Sequence, residues 1–214
     1  MSRLLALLPE VVLVLTGLLI FAALMSERHR EVWARRAAEF GGVLLVAACL
    51  LSLNQGLEIF WSTYRVDAFS QLVKLAIALG FLVSVFLVRD GAGQRDDARA
   101  EVFFFLLTSA SGLMVMASSV EMLALYLGLE IASFSLFVLV PLRTGFALGK
   151  EAGLKFLVVG LGASAVTLFG LSILIGLTGT TRLAEMAFIL PHLAGQPALL
   201  FGLALFLSGF LFKL

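Results

Sequence analysis

Four ionisable residues carry the chemistry open to this otherwise apolar chain: Glu130, Glu151, Lys155 and Lys213. Each lies in or against a long hydrophobic run, where a charge at mid-bilayer costs about 2.5–3.5 kcal/mol on insertion scales. Glu130 is about ten residues into its run, which at about 1.5 Å per residue sets it roughly 15 Å deep, close to the bilayer centre. A carboxyl at that depth is either a structural group hydrogen-bonded inside a bundle or the partner of a charge. Lys155 follows Glu151 by four residues, which places both on one helix face with the glutamate on the favoured N-terminal side. As Lys155 is a turn or two inside the membrane, it needs a carboxylate, and Glu130 on the preceding antiparallel run is geometrically available. Groups coupled in this way titrate as a pair. Lys213, roughly 20 Å into the last run, is either a buried cation of the same path or a terminal lysine snorkelling to the interface. Lys74, near the outer end of its run, reads as a structural residue that can snorkel. Glu121 lies nine residues before Glu130, two and a half turns away on the opposite face, and reads as interfacial.

Buried carboxylates and lysines, without a nucleotide-binding loop, haem ligands or a metal-ligand motif, suggest proton or ion movement. Moving one charge changes its neighbour's affinity for a proton, so the pair can take up and release one. Cys49, the single cysteine, sits inside an apolar run and reads as a small core hydrophobe.

The elements that position these residues follow from composition. Of 214 residues, 61% are hydrophobic and only 14% are charged, so a polar surface for a soluble domain cannot be made. A mean hydropathy of +1.10 supports an all-α integral membrane protein. The net charge of +1 gives no reason to expect a nucleic-acid partner; the lipid bilayer is the expected environment. Seven runs are long enough to read as spans, near Leu4–Met25, Ala37–Leu53, Phe69–Val88, Val102–Ala117, Val120–Val140, Leu148–Leu177 and Ala198–Leu214. The first exceeds the apolar stretch of a signal peptide and no small-residue cleavage site precedes Glu27, so it reads as a retained span. The runs are continuous and do not alternate, which favours helices over barrel strands.

The connectors carry an orientation signal. Arg28, Arg30, Arg35, Arg36, Arg89, Arg95, Arg99, Arg143 and Lys150 fall on one side, against Arg3, Arg65 and Arg182 on the other. The positive-inside bias then sets the N-terminus outside. Asn54 to Asp67, with Trp61 and Tyr64, reads as an interfacial turn, and the segment from Thr178 through Pro191 to Pro197 as loop with room for a short interfacial helix. Small residues four apart at Gly128/Ala132, Gly149/Gly153 and Gly160/Ser164 permit close helix packing.

The run Glu121-Met-Leu-Ala-Leu-Tyr-Leu-Gly-Leu-Glu130-Ile-Ala-Ser resembles subunit N of respiratory complex I, the NADH:quinone oxidoreductase, in the antiporter-like family shared with Mrp-type antiporters. Lys150-Glu151-Ala-Gly-Leu-Lys155-Phe, Gly162 to Gly170, Leu177-Thr-Gly-Thr180 and Gly209-Phe-Leu-Phe-Lys213 extend the likeness. Leu8-Pro9-Glu10 and Asp67-Ala-Phe-Ser70 fit the same picture. The resemblance implies a proton-translocating subunit in which Glu130, Lys155 and Lys213 carry the path and Glu151 supports it. It implies no cofactor on this chain, with NADH, flavin, iron–sulfur clusters and quinone handled by other subunits. The expected partners are the other membrane subunits of complex I, in a bacterial inner membrane. Family members have roughly twice as many spans, arranged as inverted repeats. The chain therefore reads as the first half, apparently truncated in the seventh span, with the C-terminal half as a continuation or a separate chain. Two other readings stand beside this one: a subunit of an Mrp-type cation/proton antiporter or membrane-bound hydrogenase, and a structural or assembly fragment that transports nothing.

Overall fold

Lipid offers the backbone no hydrogen-bond partners, so an apolar chain in a bilayer closes its own amide ladder. The computed structural model describes residues 5–26, 29–59, 63–90, 99–143 and 147–213, and it is built almost entirely of helices. Arg3, Glu27, Arg28, Trp61, Arg95 and Leu214 lie outside the described residues. In chain order the elements are α1 (Leu8–Leu24), α2 (Arg30–Ser52), β1 (Leu57–Ile59), β2 (Tyr64–Val66), α3 (Ala68–Asp90) and α4 (Arg99–Ser118). After them come α5 (Met122–Arg143), α6 (Ala147–Thr178), the short α7 (Leu183–Ile189) with a single 3₁₀ turn, and α8 (Pro197–Phe212). Each of the seven apolar runs holds a helix. Among the described residues, four helices (α3 to α6) are long and apolar enough to cross a membrane on their own. α1 and α8 are apolar but shorter, and α2 opens on the charged turns Arg30 to Arg36.

The expected interfacial turn is a small antiparallel hairpin, with Leu57 opposite Val66 and Ile59 opposite Tyr64. Continuous apolar runs gave no sign of it, because three-residue strands carry too little alternation to read. Asp67 then caps α3: its carboxylate accepts from the Ser70 amide at 2.7 Å while Ser70 Oγ accepts from the Asp67 amide at 2.9 Å. This reciprocal pattern satisfies two amides that the first helical turn leaves open. At the same end of the molecule three connectors are stitched together. The Val120 amide donates to the Thr63 carbonyl, Met122 to Thr181, and Leu183 to Val120. Glu121 sits in this seam and accepts from Thr181 Oγ1 at 2.6 Å. The segment after Gly179, whose φ of +67° suits glycine, contains the short helix α7.

Two packed cores result. One joins α1 to α4 through Ile20, Leu45, Phe81, Phe103, Leu107 and Met114. The other joins α5, α6, α7 and α8 through Tyr126, Leu171, Leu174, Met186, Leu199 and Phe206. Both are ringed by exposed leucines, valines and phenylalanines, as in a bundle whose solvent is lipid. The two halves meet where α4 crosses α5 at Gly112 and Gly128. A Cβ on Gly112 would stand 2.5 Å from the Gly128 carbonyl oxygen and 2.6 Å from the Ala132 nitrogen. Backbone atoms cannot rotate away from such a contact. Gly112→Ala is therefore expected to destabilise the protein by about 1–3 kcal/mol. A thermal-unfolding midpoint in detergent equal to that of the parent would show that α4 and α5 do not approach this closely.

Candidate functional site: a buried glutamate–lysine pair

Glu130 lies eight residues into α5, and its carboxylate is held at both oxygens. Lys213 Nζ donates to Oε1 at 2.5 Å, and Ser164 Oγ on α6 donates to Oε2 at 2.9 Å. The side chains of Lys213 and Glu130 are only 3% and 10% exposed, so this is an ion pair out of contact with bulk water. Tyr126, one turn before Glu130, donates its hydroxyl to the Ser164 carbonyl at 3.2 Å. Its ring lies beneath the ammonium, 5.9 Å from Nζ to the centroid, a distance at which the π face attracts a cation. Ser133, three residues beyond Glu130, lines a cavity of about 70 Å³ with Lys213, Gly160, Phe137, Phe156 and Phe212. At about 30 Å³ of liquid volume per water, this space is on the scale of two molecules.

Packing explains how a residue at the far end of α8 reaches the middle of α5. α6 and α8 are in close contact at Gly209, where a Cβ would stand 2.2 Å from Thr167 Oγ1 and 2.6 Å from the Ala163 carbonyl oxygen. Lys213 follows one turn later, caps the C-terminus of α8 and extends its side chain to Glu130. The snorkelling alternative for Lys213 is therefore not what the structure shows. The cation is directed into the bundle.

Lys155 is not brought to Glu130. Its ammonium pairs with Glu151 at 2.6 Å, and the two side chains are 72% and 59% exposed. The cause is helical geometry. Ser164 is the α6 residue that faces Glu130, and Lys155 precedes it by nine residues, two and a half turns, which turns it to the opposite face and about 13 Å along the axis. Nearer to Lys155, α5 is met instead by Gly153 against Pro141 and by Gly160 against Phe137. Lys74 does not snorkel either: it is fully buried and paired with Glu10 at 2.5 Å. Sequence reasoning did not assign roles to Tyr126, Ser133 and Ser164. Tyr126 shares a face with Glu130 at a spacing of four, which is a readable signal. Ser164 carried none beyond its small size.

A bundle with a buried carboxylate–ammonium pair, and with four described helices long and apolar enough to cross a membrane, is a membrane protein. The family description NADH:quinone oxidoreductase/Mrp antiporter, TM, matches residues 119–214, which include all four candidate residues. The chain belongs to this antiporter-like membrane family, and its likeness is to subunit N of NADH:quinone oxidoreductase. It is 37% identical over 218 aligned residues to NADH-quinone oxidoreductase subunit N 2 of Opitutus terrae, an alignment covering all of this chain and 45% of that protein. Among solved structures, respiratory complex I from Thermus thermophilus with bound aureothin aligns with a TM-score of 0.69 at 28% identity, over 96% of this chain and 42% of that one. An archaeal respiratory membrane complex, the membrane-bound sulfane sulfur reductase, shares the fold, with a TM-score of 0.73 at 17% identity over 97% of this chain and 43% of that one. The chain thus spans a little under half the length of the proteins it matches.

The Ser164 hydroxyl donates to Glu130 Oε2 from the neighbouring helix. Ser164→Ala is expected to remove a donor from that buried charged acceptor and to destabilise the protein by about 1–3 kcal/mol. Thermal unfolding in detergent measures this, and an unchanged midpoint would mean that Oε2 does not rely on the α6 hydroxyl.

Proposed function

We propose that this chain is part of a proton-translocating membrane subunit of an NADH:quinone oxidoreductase and that the Glu130–Lys213 pair holds the proton in transit. The observation that carries this reading is the buried contact itself, 2.5 Å between a carboxylate on α5 and an ammonium at the end of α8. Two opposite charges in a low dielectric stabilise each other strongly, and each is costly once the other leaves or is neutralised. Any event that draws Lys213 away from Glu130 therefore favours protonation of the carboxylate. Return of the lysine favours release. The cavity beside Ser133 and Lys213 offers a place for water to carry the proton away from the pair. Quinone reduction elsewhere in the assembly would supply the displacement.

Lys155 and Glu151 serve this path at a face that is exposed on the described chain. Ionisable groups in spans face protein or water-filled cavities rather than lipid. Their exposure supports a further span or a neighbouring membrane subunit packed against this side of α6, in keeping with the greater length of the relatives. NADH, flavin, iron–sulfur clusters and quinone belong to other subunits in this reading. The arginines point to a bacterial inner-membrane orientation with the N-terminus outside. Arg30 and Arg99 form pairs with Glu101 and Glu31 at one end of the bundle, while Arg65 and Arg182 lie with the hairpin and connectors at the other. The shared fold with a respiratory reductase complex keeps a second reading open, in which the same pair serves a related complex with a different electron donor.

Glu130→Gln, made in the complete protein within its assembled complex, is expected to reduce NADH-driven proton movement into sealed vesicles to a small fraction of the parent. Subunit content on a native gel is expected to stay the same. Parental pumping by a fully assembled variant would remove Glu130 from the path.

A further inference from the structure

A second charge pair is buried at the hairpin end of α1 to α4, away from Glu130. Glu10, in the first turn of α1, meets Lys74 of α3 at 2.5 Å, and Lys74 has no exposed surface. Tyr64 of β2 donates its hydroxyl to the same Glu10 oxygen at 2.6 Å, and Lys74 Nζ stands 5.0 Å from the centre of its ring. The arrangement repeats that around Glu130: a carboxylate, an ammonium, a tyrosine ring against the ammonium and a hydroxyl donor. Burial, and then the charge and hydrogen bond of Glu10, push the Tyr64 phenol well above its ordinary range, so it remains a donor.

Two buried polar atoms on groups of this cluster, Glu10 Oε2 and Gln71 Oε1, have no hydrogen-bond partner among the described residues. Gln71 is fully buried and its amide donates to the Ala6 carbonyl at 3.1 Å, which leaves its oxygen as an acceptor in need of a donor. Ser118 of α4 lies against the Tyr64 phenol. Cys49 of α2 completes the wall near Lys74. Buried polar groups are almost always satisfied, and where protein provides no partner an internal water does so. An apolar groove of about 430 Å³, lined chiefly by Val11, Val14, Leu15, Ile59 and Val115, runs past Glu10 and Tyr64. Glu10 keeps 25% of its side chain exposed, while its Oε2 is buried.

We propose that Glu10, Tyr64 and Lys74 form a second proton-carrying site, with water bound on the free atoms of Glu10 and Gln71, serving the membrane surface at the hairpin end of the bundle. Its use in transport rests on the reading that the chain moves protons. Transfer of one proton from Lys74 Nζ to Glu10 turns the ion pair into a neutral amine and a neutral acid. The proton arrives on Oε1, the carboxyl group turns to present it to the water on the other side, and the amine regains one from water on the Gln71 side, so charge balances over the cycle.

The test uses the complete protein in its assembled complex in sealed vesicles. The double variant Glu10→Gln/Lys74→Met removes both charges together, and Tyr64→Phe deletes a single hydroxyl should the double variant fail to assemble. Infrared difference spectra between parent and variant, recorded in H₂¹⁶O and H₂¹⁸O, are expected to show an isotope-sensitive water O–H band that the variant lacks. Proton movement is expected to fall several-fold with assembly retained. Absence of such a band, or a parental rate in an assembled variant, overturns the proposal. Glu130→Gln run in parallel separates the two sites. A parental rate for that variant, with a reduced rate for the Glu10/Lys74 variant, removes Glu130 and keeps this site; the converse removes this site alone.

Discussion

A charge cannot remain unpaired in hydrocarbon, and that constraint organises this molecule. Removing one partner of a buried ion pair costs about 3–5 kcal/mol, while the intact pair contributes little net stability over an apolar replacement. Glu130 and Lys213 therefore hold α5 and α8 in a fixed relation without being a strong source of stability. The close glycine contacts let the helices approach far enough for the pair to form, and Ser164 and Tyr126 fill the remaining hydrogen-bonding and cation-binding positions around it. Near balance between pairing and desolvation is also the condition under which a modest displacement changes where a proton resides.

The same constraint sorts the remaining charges. Those at the end of the bundle near Arg30 and Arg99 form partly exposed pairs across α2 and α4. Such pairs contribute little individually, and they mark the level at which the helices leave the membrane. Those at the other end lie among connectors whose backbones are stitched together by hydrogen bonds around Val120. Beside these layers the described structure buries two Glu–Lys pairs, one joining α1 to α3 and the other α5 to α8.

Much of this was legible in the residues. Continuous apolar runs located every long helix, because a bilayer leaves the backbone no alternative. Depth alone singles out Glu130, whereas for Lys213 it leaves a buried cation and a snorkelling terminal lysine equally open, and only the family resemblance separates them. What could not be read was lateral: which faces of which helices meet. Lys155 appeared able to reach Glu130 because α5 and α6 are consecutive and antiparallel, but half-turn phasing against Ser164 directs it outward. Lys74 appeared free to snorkel because its carboxylate partner is 64 residues earlier in the chain, a separation that no local pattern spans. The hairpin escaped notice because its strands are only three residues each.

The most direct test of the central claim is a double-mutant cycle on Glu130→Gln and Lys213→Met, read by unfolding free energy of the protein in detergent. Contact between a buried carboxylate and ammonium predicts a coupling energy of about 1–3 kcal/mol, with each single variant disproportionately unstable. Additive effects, with a coupling near zero, would mean that the two charges do not meet and that the pair cannot hold a proton between α5 and α8.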